Sequence, residues 1–190
     1  DLVMYNQKHN EPNQENNLDG NNDNRSWNLG VEGPTDDALI NAHRHQLKKS
    51  MLATLLLSSG VPMLTMGDEI GRTQNGSNNG YSLPRDMTPL MEDSEANFMG
   101  GWANKWKLNE AESDLRDAVA ELAHIRKQYL EGVAHEFFTG VVDAGTKRKD
   151  IAWFSLGGHE MHEEHWQDGE KRSLTVFIEA GAERGLLLLL

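Results

Sequence analysis

The sequence predicts an α/β chain that changes architecture near residue 133, and three observations carry that expectation. Residues 36–66 read as a helix, a short turn and an apolar run, which is one step of a parallel α/β fold. A second helical period runs through Leu115, Val119, Leu122, Ile125 and Tyr129. From about Val133 the period falls to two and glycines punctuate it, as in an antiparallel β domain.

Residues 5–37 (YNQKHNEPNQENNLDGNNDNRSWNLGVEGPTDD) come first and show little periodicity. Their Asn, Asp, Glu and Gly content suggests disorder. Tyr5, Trp27, Leu29 and Val31 are poor choices for a free linker, so an ordered functional loop is expected instead. The first helix is expected over 36–59, with Thr35, Asp36 or Asp37 as its cap. Leu39, His43, Leu47, Met51 and Leu55 recur every four residues as its core stripe, and Ile40, Leu52 and Leu56 widen it. Gly60 sits where a helix-ending glycine belongs, and Pro62 prevents continuation. The run 61–66 then reads as a buried strand.

Residues 71–107 are irregular, because Pro84 and Pro89 exclude a long helix. Asn109 and Glu112 have capping-box spacing ahead of the second helix, which Gly132 can end. Phe137-Phe138, Ile151–Leu156, Leu174–Ile178 and Leu186–Leu190 are the strand candidates. They are separated by Gly157-Gly158, Asp168-Gly169 and Gly181.

The bulk numbers limit the partners. The chain has 190 residues, 37% hydrophobic, with 30 acidic against 18 basic side chains and a net charge of −12. Phosphate backbones and anionic membrane surfaces meet the wrong sign of charge, which leaves neutral or cationic ligands. No cysteine is present, so no disulfide or thiolate site exists, which suits a reducing compartment. No apolar run approaches a membrane span, and no signal peptide is visible. The absence of an initial Met and the unfinished look of Leu186–Leu190 lead us to expect a piece of a longer polypeptide.

The stretch GVPMLTMGDEIGRTQNGSNNGY (60–81) is the most informative. An apolar run that only fills a core needs no charges at its end, yet this one ends on Asp68 and Glu69. In parallel α/β barrels the ligand groups lie at the C-terminal ends of strands and on the loops that follow. Asn75, Asn78, Asn79 and Tyr81 are donors and acceptors that suit a sugar better than a phosphate. The plainer alternative is that Asp68 and Glu69 tie the strand end to neighbouring loops. Adjacent strand residues point to opposite sides, so at most one should face a barrel mouth.

Other lookalikes carry less. His162-Glu163-Glu164-His165 is one residue short of the zinc-protease spacing, which needs both imidazoles on one helix face. His43 and His45 read as packing or surface residues. Trp102 and Trp106 could stack on sugar rings, although aromatic residues more often fill cores.

The pattern Gly-x-Pro-Met-Leu-x-x-Gly-Asp-Glu, then Gly-Arg-x-Gln and Asn-Asn-x-Tyr, resembles the eighth-strand motif of glycoside hydrolase family thirteen, the α-amylase family. Within it the chain is most similar to the glycogen debranching and isoamylase group. DLVMYNQKHNEPNQENNLDG and NRSWNLGVEGPTDD resemble that group's loop after the seventh barrel strand. Ile125-Arg126-Lys127 resembles the end of its eighth barrel helix, and residues 149–181 resemble the start of its C-terminal β-sandwich. Two departures stand out. Tyr81 precedes Ser82-Leu83-Pro84 where the group has Cys-Gln-Asp, and Leu29 replaces a usual Cys.

The resemblance implies the C-terminal part of a (β/α)8 TIM barrel over 1–132 and the start of an antiparallel β-sandwich domain over 133–190. It implies a retaining glycosidase whose substrate is a branched α-glucan, glycogen or limit dextrin, cleaved at α-1,6 linkages in the cytoplasm. Substrate contacts would come from Trp27, Asp68, Glu69, Asn78, Asn79 and Tyr81. The catalytic nucleophile, acid/base and stabilising carboxylates are expected upstream of Asp1, so these residues alone are expected to be inactive. No cofactor, metal, nucleic acid or membrane is implied, and oligomeric state is not readable. An α-1,4 hydrolase or transglycosylase of the same family, or a non-catalytic glucan-binding module, are the alternatives.

Overall fold

A computed structural model describes residues 2–81, 108–132, 137–181 and 185–189. The chain divides into two compact units, Asp1–Ala53 with Met63–Ala120 and Thr54–Pro62 with Glu121–Leu190. The element order is α1 (Ala38–Leu57), α2 (Glu110–Tyr129), β1 (Ile151–Phe154), α3 (Glu163–Gln167), β2 (Thr175–Glu179) and β3 (Gly185–Leu189), with single 3-10 turns at Glu11–Asn13 and Asp68–Ile70. The architecture is therefore a small mixed helix and strand one. The expected segments at Pro84, Pro89, Trp102, Trp106 and 133–136 lie outside the described residues.

In the first unit, α1 starts where its cap dictates. The Asp37 carboxylate accepts from the Leu39 N–H at 2.8 Å and the Ile40 N–H at 3.2 Å, satisfying two of the donors a helix start leaves open. The buried line is displaced by one residue from the expected stripe. Leu39, His43 and Met51 are exposed, whereas Ile40, Arg44, Lys48, Leu52 and Leu56 are buried or half-buried at four-residue spacing. Ile40, Leu52 and Leu56 were expected to widen the stripe; Arg44 and Lys48 escape an apolar count because they are basic. Their stems can be buried while their heads find other partners. At α2 the capping box forms in both directions. Asn109 N–H donates to the Glu112 carboxylate at 2.9 Å, and Glu112 N–H donates to Asn109 Oδ1 at 2.9 Å. Asp114 then receives His45 Nε2 at 2.6 Å and Lys49 Nζ at 2.5 Å, joining α1 to α2. The Lys49 and His45 hydrogen bonds hold the Asp114 carboxyl below its ordinary range.

The second unit has its core around Leu130, Val176 and Ile178, with Phe138, Ile151, Leu174, Leu186 and Leu188 packed against it. The sheet is antiparallel in the order β1-β2-β3, with Trp153 opposite Val176 and Val176 opposite Leu188. Alternation along β2 puts Val176 and Ile178 on the core side, as a period of two requires. Of the four strand candidates, three are found, and Phe137-Phe138 is not a strand. Phe137 is exposed while Phe138 packs on the core. In the same unit Arg126 caps the end of α1. Its Nη1 donates to the Leu56 and Ser58 carbonyls at 2.7 Å each, and its Nη2 to Gly60 O.

The buried parallel strand expected at 61–66 is not formed. The segment has no ladder partner, and Val61 and Met63 are 91% and 85% exposed. A strand persists only with a neighbour to take its N–H and C=O groups. Among the described residues every strand belongs to the antiparallel sheet. The helix and the loop of the expected αβ step are present without the strand between them. No helix among the described residues is long and apolar enough to cross a membrane.

Candidate functional site

The polar segment 5–37 is ordered and stitched by asparagines to the loop at 74–81, all within the first unit. Asn10 is fully buried, and each of its side-chain hydrogen-bonding positions is engaged. Its Nδ2 donates to Asp19 O at 3.3 Å and Asn78 Oδ1 at 2.6 Å, while its Oδ1 accepts from Ser77 Oγ and Asn78 N–H at 3.0 Å each. Asn78 Nδ2 continues the web to Asn21 O and Asn24 Oδ1, both at 2.6 Å. Asp19 Oδ2 accepts from Asn13 Nδ2 at 2.7 Å and from Asn79 Nδ2. Gly76 lets the loop seat on Tyr5. Its φ is +91°, and a Cβ there would lie 2.5 Å from the Tyr5 ring.

A second set of contacts fixes the turn at 28–33. Asn28 is buried and donates through Nδ2 to Met4 O at 2.9 Å, while its Oδ1 receives Gly30 N–H at 3.0 Å. Arg44, only 3% exposed, spreads its guanidinium over three carbonyls. Nη1 donates to Gly33 O at 3.0 Å, and Nη2 to Asn28 O at 3.0 Å and Val31 O at 2.6 Å. Burial lowers the Arg44 guanidinium from its ordinary value. Burial, with Arg44 beside it, also lowers the Lys48 amine, against a smaller opposing pull from Glu112. Trp27 precedes this clamped turn and is 65% exposed. A rigid exposed aromatic surface of this kind can stack on an apolar or sugar face.

The expected site residues therefore fall into two groups. Trp27 and Tyr81 are exposed, with Tyr81 at 64%. Asn78 and Asn79 spend their side chains on holding loops together. Asp68 and Glu69 lie in a 3-10 turn rather than at a strand end. The Asp68 carboxylate pairs with Arg72 Nε at 2.8 Å, and the Glu69 carboxylate turns back onto the Gly67 N–H at 2.8 Å. Both contacts stay within the same turn, so the two carboxylates brace their own loop rather than tie it to neighbouring ones. Asn10, Asn24, Asp19 and Arg44 were missed by sequence reasoning. The asparagine density of 5–24 was a signal for the first two; nothing local marked Arg44.

The histidine cluster is equally local. His162 N–H donates to His165 Nδ1 at 3.0 Å at the start of the five-residue α3, and Trp166 meets Trp153 edge-on at 5.8 Å between centroids. Among the described residues no group of three or more His, Cys, Asp or Glu side chains is placed to hold a metal ion. What the first unit does offer is a polar, net acidic loop segment over 5–37 together with two exposed aromatics, Trp27 and Tyr81.

Comparison with known proteins agrees with the resemblance drawn from the motifs. No family model matches the chain. It is 43% identical over 183 residues to the glycogen operon protein GlgX homolog of Mycobacterium tuberculosis, covering 96% of this chain and 23% of that protein. The Haemophilus influenzae protein of the same name is 35% identical over 195 residues, covering 100% of the chain and 26% of its own length. The glycogen debranching enzyme of Serratia proteamaculans is 35% identical over 170 residues, covering 90% and 22%. The chain thus spans about a quarter of the length of the curated relatives it matches. It is a homologue, along nearly all of its own length, of the proteins named glycogen operon protein GlgX homolog and glycogen debranching enzyme.

Proposed function

We propose that the chain is part of a glycogen debranching enzyme of the α-amylase family, hydrolysing α-1,6-glucosidic branch linkages of glycogen or limit dextrin in the cytoplasm. The observation that carries this is the 43% identity over 96% of the chain to a GlgX homologue. The mechanism is the retaining one. One carboxylate attacks the anomeric carbon and a second protonates the leaving oxygen, the two standing about 5–5.5 Å apart across the bond. Asp68 and Glu69 are unsuited to that pair, because adjacent residues cannot flank one glycosidic bond from opposite sides and both are already engaged within their loop. The catalytic carboxylates are assigned to the part of the enzyme outside these residues. Residues 1–132 would contribute barrel loops and helices, and 133–190 the start of a β-sandwich.

In this role the first unit supplies the substrate-facing wall. Trp27 and Tyr81 stack on glucose rings, while Asn78 and Asn79 hold the loops that present them. Asp68 and Glu69 keep the adjoining turn in shape. The test is to incubate the polypeptide of natural length with limit dextrin and follow the α-1,6 anomeric proton signal by NMR. Loss of that signal with matching release of reducing ends is expected, and residues 1–190 alone should give neither. Cleavage confined to α-1,4 linkages would replace the debranching assignment. Comparable turnover by the 190 residues alone would overturn the placement of catalysis elsewhere.

A further inference from the structure

We propose that Arg44 is a positioning residue for glucan recognition, acting through the 28–33 turn to hold Trp27 in its binding orientation. This rests on the proposed role of Trp27 as a substrate contact. Arg44 is the one strongly basic side chain among the buried residues described, and it lies within α1. Burying a charge is costly unless its hydrogen bonds are made. Among the described residues Arg44 has no carboxylate partner within salt-bridge distance; its terminal nitrogens make three bonds to carbonyls, while its Nε is buried without a partner. Those carbonyls belong to residues 28, 31 and 33, which follow Trp27 directly.

The geometry of the turn depends on this clamp. The Asn28 and Val31 carbonyls converge on one nitrogen, Nη2, at 3.0 and 2.6 Å, and Gly33 O takes the other terminal nitrogen. Leu29 is held at φ +60°, a left-handed conformation that a leucine adopts only when its surroundings over-determine it. On the other side of Trp27, Asn24 is anchored to Tyr5 O at 3.1 Å and to Asn78. Trp27 therefore lies between two anchored residues, Asn24 and Asn28, in the absence of any ligand. Ordering in advance lowers the cost of binding. A lysine keeps the charge but has a single nitrogen and cannot span three carbonyls in a planar fork.

The test uses steady-state kinetics of the natural-length enzyme on limit dextrin with Arg44→Lys, Trp27→Ala and the double variant. Arg44→Lys is expected to raise KM about tenfold, the scale of one to two lost hydrogen bonds, with kcat within about twofold. Trp27→Ala should raise KM at least as much. The double variant should be no worse than Trp27→Ala, because one residue acts through the other. Additive effects, or an Arg44→Lys enzyme with unchanged KM beside an impaired Trp27→Ala, would overturn the positioning role. An unchanged KM in Trp27→Ala would instead overturn the reading of Trp27 as a substrate contact. If Arg44→Lys does not fold, Arg44→Gln decides the matter by the same criteria, since it buries no charge and keeps two donors.

Discussion

Asn10 illustrates how one side chain can decide whether a polar segment folds. An amide offers two donors and two acceptor positions, and here all four are used by Asp19, Ser77 and Asn78. Asn10→Ala leaves the Asn78 N–H and the Ser77 hydroxyl facing a buried gap. The expected loss is about 2–4 kcal/mol, read by chemical denaturation. Asn10→Asp is nearly isosteric and should be no milder, because it loses both donors and sets a carboxylate against Asn78 Oδ1. A change below about 0.5 kcal/mol in both variants would remove Asn10 as the hub. At this scale the sequence is legible only in part. Trp27 and Tyr5 could be singled out as too aromatic for a linker, but the bonds of Asn10 span 67 and 68 residues. No local pattern encodes a pairing of that length. Arg44 is hidden for a related reason: an arginine inside a helical pattern reads as solvent-facing until its carbonyl partners are seen.

Elements that depend on neighbours in sequence were the easiest to foresee. The caps of α1 and α2 follow from side chains within three residues of the helix start, and both form as their spacing implies. Strands β1, β2 and β3 follow from short apolar runs and from the glycines between them. The segment 61–66 fails because its apolarity says that it wants a partner without supplying one. The sheet unit has its own electrostatic anchor in Asp150. Burial alone would raise its carboxyl, but hydrogen bonds from the Thr139 N–H and hydroxyl and from the Gly140 and Ile151 N–H groups outweigh it and hold the carboxyl low. Their lengths run from 2.6 to 2.9 Å. A folded value below the unfolded one, which is about 3.9, gives stability that is complete well above pH 4. It is lost as pH falls through the folded value. Asp150→Asn should therefore lower the melting temperature at pH 7 by a few degrees, with the gap to the parent closing as pH falls below the unfolded value. A gap that is constant with pH would show that the carboxylate charge is not what holds the 139–140 segment.

For the molecule as a whole, the family was legible because 60–81 and 5–37 carry unusual residues in a fixed order. The expected parallel step was not found among the described residues. A strand needs a neighbour to take its N–H and C=O groups, and the described residues provide none for 61–66. The acidic net charge of −12 is compatible with a neutral polysaccharide, for which long-range steering has no role. The asparagine-knit loops of the first unit are proposed to form a wall that faces a branched glucan. Amide hydrogen exchange on the natural-length enzyme, with and without saturating limit dextrin, tests this most directly. Added protection is expected at residues 24–31 and 75–81 on binding, with strands β1 to β3 unchanged. Protection confined to the sheet, with 24–31 and 75–81 exchanging as in the free enzyme, would contradict it.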